Sequence, residues 1–286
     1  MSAGSHRLGV IGDPVEHSLS PRMHAAGFAA LGIEAEYVTM RVPAAEGASV
    51  EAAMRDLAAT GGGNVTLPHK GRAALALDEM TDVVRETGAC NCFWVTDAGV
   101  LAGDNTDVTG IAGVLKDLLV GREPGEVLVL GAGGAAAAAA VAAGRLGALT
   151  LRIANRTPAR AARLAARLRK QGLDARPEPW PAAGTCDVVV NATSLGLAEN
   201  DPPPASFDRM TARLALDLVY TPASAERPTD HDAGGTRWTR AANARGIRAT
   251  DGLDVLVLQG AACYPRWFGL EAPVEALRRA VIRGKT

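Results

Sequence analysis

The clearest hydrophobic pattern in the chain is an apolar run that breaks into glycine and resumes as an alanine-rich stretch. Four successive apolar residues at 127–130 predict a buried parallel strand. Glycines follow at Gly131, Gly133 and Gly134, and an alanine-rich helix is predicted from about Ala135. Strand, glycine turn and helix in this order are typical of a dinucleotide-binding unit.

The residues of this turn suit a bound pyrophosphate. Gly131 allows the tight turn, Gly133 lets the backbone approach the phosphates, and Ala136 is small enough for the helix to pack closely on the strand. The start of the helix also offers free N–H groups and the positive end of its dipole. Because both flanks are present, dinucleotide binding is favoured over a plain glycine turn.

Elsewhere in the chain, segments whose apolar residues have the spacing of a strand alternate with segments whose apolar residues have the spacing of a helix. Strands are predicted at 7–12, 36–42, 64–67, 90–95, 149–154, 186–194, 214–220 and 247–250. Helices are predicted at 21–31, 44–59, 108–119, 160–170, 254–262 and 273–282, with another starting near residue 70. The alternation predicts an α/β fold of two domains: residues 1–107 with 253–286, and a Rossmann-type cofactor-binding domain of residues 108–252.

The end of the second strand in the cofactor-binding domain indicates which dinucleotide is bound. NAD sites usually carry an acidic residue there, which bonds the ribose 2′-hydroxyl. Here the strand runs into Asn155, Arg156 and Thr157, with Arg160 behind them, and no acidic residue occurs until Asp174. A guanidinium can fork onto a 2′-phosphate, and Arg156 could also lie over the adenine. The pattern favours NADP over NAD, and over a solvated turn with ordinary surface arginines.

Composition narrows the class of protein. The chain has 286 residues, a net charge of −1 and 4% aromatic residues, which argues against a nucleic-acid-binding surface. No apolar run reaches the roughly 20 residues of a membrane span, and residues 1–6 carry no export signal. A cytoplasmic enzyme is therefore expected. Its four cysteines are expected to be reduced thiols rather than zinc ligands.

Candidate chemistry in the first domain lies where strands run into polar segments. Ser18 and Ser20 lie at the start of a predicted helix, with Ser20 as the predicted N-cap. Helix capping and the binding of a small carboxylate account for their two hydroxyls equally well. Lys70 begins a helix, where the dipole disfavours a cation; this hints at function, although a lone lysine is more often a surface residue. Asp107 begins another helix, either as its N-cap, with Thr106 as a rival, or as a partner of Lys70 in a proton relay.

One further group of potential ligands is Asp230, His231 and Asp232, in a segment rich in glycine, proline and polar residues. Three such side chains could bind a metal ion. A solvated insertion loop is the favoured interpretation, so no metal is expected.

Eight motifs in order carry a family resemblance. They are His17-Ser-Leu-Ser-Pro21, Asn64-Val-Thr-Leu-Pro-His-Lys70, Gly103-Asp-Asn-Thr-Asp107, Gly131-Ala-Gly-Gly-Ala135, Asn155-Arg-Thr157, Asn191-Ala-Thr-Ser194, Asp217-Leu-Val-Tyr220, and Asp251-Gly252 with Gln259. The chain resembles the shikimate and quinate dehydrogenase family over nearly its whole length. The resemblance implies two α/β domains separated by a cleft, NADP as cofactor, and interconversion of 3-dehydroshikimate and shikimate in chorismate biosynthesis.

The same resemblance implies roles for individual residues. Lys70 and Asp107 are the implied catalytic couple, with Lys70 delivering or removing the proton at the C3 oxygen. The implied substrate-binding residues are Ser18, Ser20 and Tyr220 near the carboxylate, and Thr66, Asn91 and Gln259 at the ring hydroxyls. The implied cofactor-binding residues are Gly131, Ala132, Gly133, Gly134, Ala135, Ala136, Asn155, Arg156, Thr157, Arg160, Leu218 and Gly252, with Asp82 as a lesser candidate.

Three features depart from the usual family pattern. Cys92 stands where threonine is common, Asp254 and Val255 stand where glycine and methionine are common, and segment 223–235 is longer and more polar. One changed hydrogen-bonding group can shift substrate discrimination strongly. The alternative function is therefore a quinate or aminoshikimate dehydrogenase, for which NAD is a further option as cofactor. A non-catalytic ligand sensor is disfavoured by the intact Lys70 and Asp107. The predicted partner is a small molecule, with a homodimer as one possible assembly.

Overall fold

The computed structural model describes residues 6–45, 49–198, 200–220 and 235–282. The chain divides into two compact units, the first made of Met1–Asp107 with Val257–Val281 and the second of Val108–Leu256 with Ile282–Thr286. The acidic and histidine cluster at 230–232, and the predicted insertion up to residue 234, lie outside the described residues.

Strands and helices alternate along most of the chain, as the sequence predicts. The strands are β1 (His6–Gly12), β2 (Ala35–Arg41), β3 (Gly61–Val65), β4 (Glu79–Met80), β5 (Cys92–Val95), β6 (Leu101–Asp104), β7 (Glu126–Leu130), β8 (Thr150–Ala154), β9 (Ala175–Glu178), β10 (Gly184–Thr185), β11 (Val188–Asn191), β12 (Met210–Thr211), β13 (Leu214–Asp217) and β14 (Arg248–Thr250). The described helices are α1 (Ser20–Leu31), α2 (Ser49–Ala58), α3 (Lys70–Ala76), α4 (Asp82–Thr87), α5 (Asp107–Leu119), α6 (Gly134–Arg145), α7 (Pro158–Arg169), α8 (Arg237–Asn243), α9 (Leu253–Ala261), α10 (Tyr264–Phe268) and α11 (Val274–Val281). Among these helices, none is long and apolar enough to cross a membrane.

Two differences from the sequence prediction have physical reasons. The helix predicted at 44–59 occupies Ser49–Ala58, and the Ala44 N–H instead donates to the Asp13 carboxylate at 2.9 Å. Several short elements have no counterpart in the sequence prediction, because so few residues carry little periodicity. These are α4, β4, β6, β9, β10, β12 and α10.

The sheet of the first unit is mixed, in the order β2-β1-β3-β5-β6-β4. Strand β1 pairs parallel with β2 and β3, whereas β5 pairs antiparallel with both β3 and β6. The antiparallel pairs bring the start of β5 to the same edge of the sheet as the ends of β3 and β6. Polar residues that are distant in the sequence therefore meet at this edge.

The second unit has a fully parallel six-stranded sheet in the order β14-β13-β11-β7-β8-β9. Taking β7 as its first strand, this is the strand order of the dinucleotide-binding fold, which confirms the predicted Rossmann-type architecture. The order reverses between β7 and β11, the point where such sheets bind ligands. Residues 136–143 of α6 are all buried, and seven of these eight residues are alanines, whose small side chains let neighbouring elements pack closely on the helix.

A ring cluster joins the C-terminal helices to the first unit. His24 of α1 is stacked on Tyr37 of β2 at 4.5 Å between centroids, and Tyr264 and Trp267 from α10 lie within about 6 Å of it. Complete burial lowers the pKa of His24 to about 3, so this ring is neutral at physiological pH. The cluster explains why Val257–Val281 pack in the first unit although they follow the second unit in the chain.

Arg152 of β8 gives a stability prediction for the second unit. Arg152 is only 8% exposed, and its guanidinium bonds Glu126 at 2.7 Å, Glu178 at 2.9 Å and two backbone carbonyls. Burial lowers the pKa of Arg152, but the two glutamates more than offset this effect. Arg152→Met leaves Glu126 and Glu178 with only the exposed Arg176 as a cationic partner and removes the donor to two backbone carbonyls, so we expect a loss of about 3 kcal/mol in the free energy of unfolding.

Urea unfolding monitored by circular dichroism measures this loss. The matched control is Arg176→Met, which removes an exposed partner of the same Glu126 carboxylate at 3.2 Å. The control is expected to cost less than about 1 kcal/mol. Equal losses in the two variants would contradict the prediction.

Candidate active site

The loops that follow β1 and β3 are tied together at one edge of the first sheet. The Thr66 N–H donates to the Ile11 carbonyl at 2.8 Å, and the Asp13 N–H donates to the Leu67 carbonyl at 2.9 Å. Thr66 is half-buried and directly follows β3. The loop that carries Ser18 and the loop that carries Thr66 therefore begin side by side.

The two serines at the start of α1 take different positions from those predicted. Ser20 is the first residue of the helix and Leu19 is the N-cap, so the prediction of Ser20 as the N-cap is wrong. The Ser18 hydroxyl instead accepts the Ser20 N–H at 3.2 Å. This bond holds Ser18 at the end of the helix and leaves the Ser18 hydroxyl proton available for another acceptor.

Lys70 and Asp107 meet in the folded chain. The Lys70 ammonium lies 2.5 Å from Oδ2 of Asp107, and the two side chains are only 16% and 11% exposed. Lys70 is the first residue of α3, and its carbonyl accepts the Cys90 N–H at 2.9 Å. Asp107 is the first residue of α5. The pair thus joins the starts of two helices that are separated in the chain by β4, α4, β5 and β6.

Asn91 fixes the other oxygen of Asp107. Its side-chain amide donates to Oδ1 of Asp107 at 2.9 Å and to Oε1 of Gln259 at 3.0 Å. Its side-chain oxygen accepts both the N–H of Thr106 at 2.7 Å and the Thr106 hydroxyl at 3.1 Å. Asn91 is 2% exposed, so these protein partners use its hydrogen-bonding capacity almost fully. In this arrangement Asn91 orients Asp107 and Gln259.

Two residues without a predicted role support this network. Asn64 accepts the Tyr37 hydroxyl at 2.6 Å and donates to the Asn91 backbone carbonyl at 2.9 Å. Cys263 accepts from Asn64 at 3.3 Å and lies 3.6 Å from the Thr106 hydroxyl. Asn64 opens one of the family motifs, whereas no sequence signal pointed to Cys263, which follows Gln259 by one helical turn.

The remaining residues singled out in the sequence belong to both units and differ in their burial. Tyr220 belongs to the second unit, where it is half-buried after β13. Asp82 begins α4 with its side chain 88% exposed and pairs with Arg85 at 2.8 Å. Cys92 is completely buried, and burial raises the pKa of its thiol well above the usual value. Asp254 is half-buried and Val255 is buried in the first turn of α9.

The glycine turn of the second unit has the geometry that its sequence predicts. Gly131 has a φ of +117°, and a side chain there would lie 2.8 Å from the Ala192 carbonyl oxygen. Gly133 is the N-cap of α6 and provides no side-chain cap, so N–H groups of the first turn remain open to an anion. Among the described residues, no atom outside the adjoining backbone comes within 4 Å of the place where a Cβ of Gly133 would be. Backbone is therefore open at the point where a phosphate would approach.

The turn after β8 presents a threonine and two arginines at the surface. Arg156, Thr157 and Arg160 are exposed, and no ion pair of the described residues involves either arginine. Thr157 is the N-cap of α7, whose first turn contains no acidic residue. The Asn155 amide donates to the Thr157 carbonyl at 3.0 Å and so shapes the turn. These groups fit a phosphate on the adenosine ribose.

Leu218 and Gly252 touch each other in the second unit. A side chain at Gly252 would collide with the Leu218 carbonyl oxygen, and the Gly252 N–H donates to the Val219 carbonyl at 3.1 Å. Both residues follow strands at the carboxyl end of the parallel sheet.

Comparisons with known proteins agree with this architecture. Residues 10–93 match the family described as the shikimate dehydrogenase substrate binding domain. A shikimate dehydrogenase (NADP(+)) of Rubrobacter xylanophilus is 42% identical over 283 residues, covering 96% of this chain and 94% of the relative. A solved shikimate dehydrogenase in complex with NADP+ has a TM-score of 0.83 at 30% identity and covers 99% of this chain and 96% of that one.

A second solved structure extends the similarity to a substrate complex. Shikimate 5-dehydrogenase from Thermus thermophilus, in complex with NADP(H) and shikimate, has a TM-score of 0.79 at 33% identity and covers 97% of this chain and 99% of that one. Sequence and fold are thus shared over nearly the full length of several relatives. This chain belongs to the shikimate dehydrogenase family.

Proposed function

We propose that the protein is an NADP-dependent shikimate dehydrogenase, which interconverts shikimate and 3-dehydroshikimate. The observation that carries the proposal is the Lys70–Asp107 pair at 2.5 Å, in the unit that contains the matched substrate-binding segment. A cation held by a fixed carboxylate can exchange a proton with a reacting oxygen. The relative from Rubrobacter xylanophilus is named as a shikimate dehydrogenase with NADP(+) as its cofactor.

In this proposal Lys70 handles the proton at the C3 oxygen of the substrate. During oxidation its neutral amine takes the hydroxyl proton, and during reduction its ammonium donates a proton to the developing alkoxide. Asp107 orients the Lys70 ammonium through Oδ2, while Asn91 holds Asp107 through Oδ1. Gln259 accepts from the same Asn91 amide, and we assign it to a ring hydroxyl of the substrate.

A polyhydroxylated carboxylate substrate suits the remaining polar groups. Ser18 precedes α1 and Ser20 begins it, at the end of the helix where the dipole favours an anion, and Tyr220 supplies a further hydroxyl for the carboxylate. Thr66, at the same edge of the sheet, supplies a hydroxyl for the ring. Several short polar contacts of this kind would discriminate among closely related acids.

The second unit would bind the cofactor through its backbone and two arginines. NADP, when bound, accepts a hydride from the substrate or, as NADPH, supplies one. The open N–H groups at the start of α6 and the exposed Gly133 backbone fit the pyrophosphate. Arg156 and Arg160 fit the 2′-phosphate. Leu218 and Gly252 fit the nicotinamide end of the cofactor. Asp82 of the first unit is a lesser candidate for a cofactor contact.

Steady-state kinetics with shikimate and quinate against NADP and NAD test this function. We expect kcat/KM to be highest for shikimate with NADP, by at least about tenfold over each other pair. A preference for quinate or for NAD would contradict the proposed specificity and indicate Asp254 or Arg156 as the residue whose role was misassigned. Absence of turnover with every pair, alongside ligand binding, would favour a sensor.

A further inference from the structure

Asp217 is a buried acid of the second unit that has no part in the proposed chemistry. It is the last residue of β13, and its side chain is completely inaccessible. Three donors from separate segments converge on it. Asn191 Nδ2 and Val219 N donate to Oδ1 at 2.7 and 3.1 Å, and the Thr236 hydroxyl donates to Oδ2 at 2.7 Å. An ionised carboxylate can accept from all three, because it carries only acceptors.

These bonds fix the turn that follows β13. The Leu218 N–H donates to the Asn191 carbonyl at 2.9 Å, and the Val219 N–H donates to Asp217. On the opposite side, the Val219 carbonyl accepts the Gly252 N–H at 3.1 Å. The turn is therefore held between the end of β11 and the start of α9. Leu218 and Gly252, the two residues assigned to the nicotinamide, belong to one hydrogen-bonded assembly with Asp217.

Asn191 extends the assembly to a further loop. Its side-chain oxygen accepts the N–H of Thr193 at 3.0 Å and the Thr193 hydroxyl at 2.7 Å, and its amide also donates to the Leu195 carbonyl at 3.1 Å. The loop after β11, the turn after β13 and the start of α9 all lie at the carboxyl end of the parallel sheet. Open α/β sheets bind their ligands at this end.

We propose that Asp217 is a positioning residue for the cofactor, whose carboxylate holds the loop after β11, the Leu218–Val219 turn and Gly252 in the arrangement that receives the nicotinamide half of NADP. The inference rests on the proposed function, because it takes Leu218 and Gly252 as neighbours of the nicotinamide. Asp217 itself touches no reacting atom. It acts by setting the backbone that does contact the cofactor.

The ionisation of Asp217 gives this role a dependence on pH. Burial raises the pKa of Asp217 to about 6, although its three hydrogen bonds lower it, and the Asp251 carboxylate raises it further. The other charged groups on the adjoining helix α8 are Arg237 and Arg240, and Arg240 donates to the Gly235 carbonyl at 2.6 Å. As pH falls through about 6, Asp217 gains a proton and can no longer accept from all three donors.

Asp217 changes the free energy of unfolding with pH in the opposite direction to an acid in an ordinary ion pair. The folded-state pKa of Asp217, about 6, lies above its ordinary value of 3.8. The folded chain therefore binds the proton more tightly, and this residue lowers the free energy of unfolding as pH rises from about 4 to 6. Ionisation of Asp217 therefore lowers the free energy of unfolding.

The test is equilibrium binding of NADPH, followed by its fluorescence at pH 7.5, with thermal unfolding measured in parallel. We expect Asp217→Asn to raise the Kd for NADPH about tenfold, since an amide cannot accept from all three donors. The matched control is Asp187→Asn, the same change at the opposite end of β11, where the carboxylate accepts the Glu126 N–H at 2.9 Å and pairs with Arg213. The control is expected to change the Kd less than twofold.

The pH profile separates positioning from general structural support. Between pH 7.5 and 5.5, we expect NADPH affinity to fall more steeply for the wild-type chain than for Asp217→Asn. The 2′-phosphate of NADPH also titrates near pH 6 and affects binding to both proteins. The role of Asp217 is therefore measured by the difference between the two pH profiles. Parallel profiles would overturn the proposal.

A second pair of variants keeps the test decisive if Asp217→Asn does not fold. Thr236→Val removes one donor and keeps the carboxylate, and should raise the Kd about threefold, while Thr236→Ser should restore it. Wild-type affinity in Thr236→Val, or in Asp217→Asn, would overturn the proposal, as would an equal loss in Asp187→Asn. Because binding is measured without turnover, a chain that binds NADPH but does not oxidise shikimate contradicts only the proposed substrate. A wild-type chain that does not bind NADPH overturns both.

Discussion

Lys70→Ala is expected to lower kcat for shikimate oxidation about 10³-fold. The variant removes the only ammonium bonded to Asp107 among the described residues, at 2.5 Å in the wild-type chain. Positioned proton transfer contributes roughly 10²–10⁴-fold to catalysis, and no neighbouring cation of the described network can replace this one. The measurement is steady-state turnover at saturating NADP and shikimate.

The lysine control is Lys116→Ala, at an exposed position in the last turn of α5, which should leave kcat within about twofold of wild type. NADPH binding measured separately should be unchanged in Lys70→Ala, because the proposed cofactor residues other than Asp82 belong to the second unit. A variant that retains a tenth of wild-type kcat would contradict the proton-transfer role. So would a loss confined to the KM for shikimate, which would make Lys70 a binding residue.

Arg156→Ala combined with Arg160→Ala is expected to reduce the preference for NADP over NAD by at least about 10²-fold. Both side chains are exposed and have no acidic partner among the described residues, so their charge is available to a ligand. A charge-assisted hydrogen bond contributes roughly 1.5–3 kcal/mol, and two such bonds to a 2′-phosphate exist only for NADP. The measurement is the ratio of kcat/KM for the two cofactors.

Arg163→Ala is the matched control, since it removes another exposed arginine of α7 and should leave the ratio within about threefold. The effect of the double variant should weaken at high salt, because exposed charges are screened. An equal loss for NADP and NAD would overturn the phosphate assignment. It would instead support contact of Arg156 with the adenine, which the two cofactors share.

The two sites were accessible to sequence reasoning to different degrees. The glycine turn is a local feature: an apolar strand, Gly131 and an alanine-rich helix are contiguous, and each position has its own steric reason. The residues after β8 are equally local, since a strand end and the following helix place Asn155 and Arg156 together. Short-range patterns of this kind are visible in a single sequence.

The network around Asn91 needed the fold. The sequence suggested that Lys70 and Asp107 pair, but residues 37 positions apart meet only because β5 runs antiparallel between β3 and β6. The same reversal brings the start of β5, with Asn91, to the ends of its neighbours. No local pattern predicts the direction in which a short strand pairs.

The role of Asp217 also depended on tertiary contacts. Its sequence context, Asp217-Leu-Val-Tyr220, was recognisable as a motif but gave no role to the acid. Donors from Asn191, Val219 and Thr236 are needed to define one, and two of them are 26 and 19 positions away. The position of a buried charge is decided by which distant groups can satisfy it.

Local periodicity and short motifs were enough to identify the family, the alternation of strands and helices, and the residues expected to recognise the cofactor. Which polar residues share a hydrogen-bonded network became clear only from the folded chain. Asn64 and Cys263 join the site, and Ser20 starts its helix without capping it. The reason is that the pairing of distant strands and the burial of polar groups select partners that proximity along the chain does not reveal.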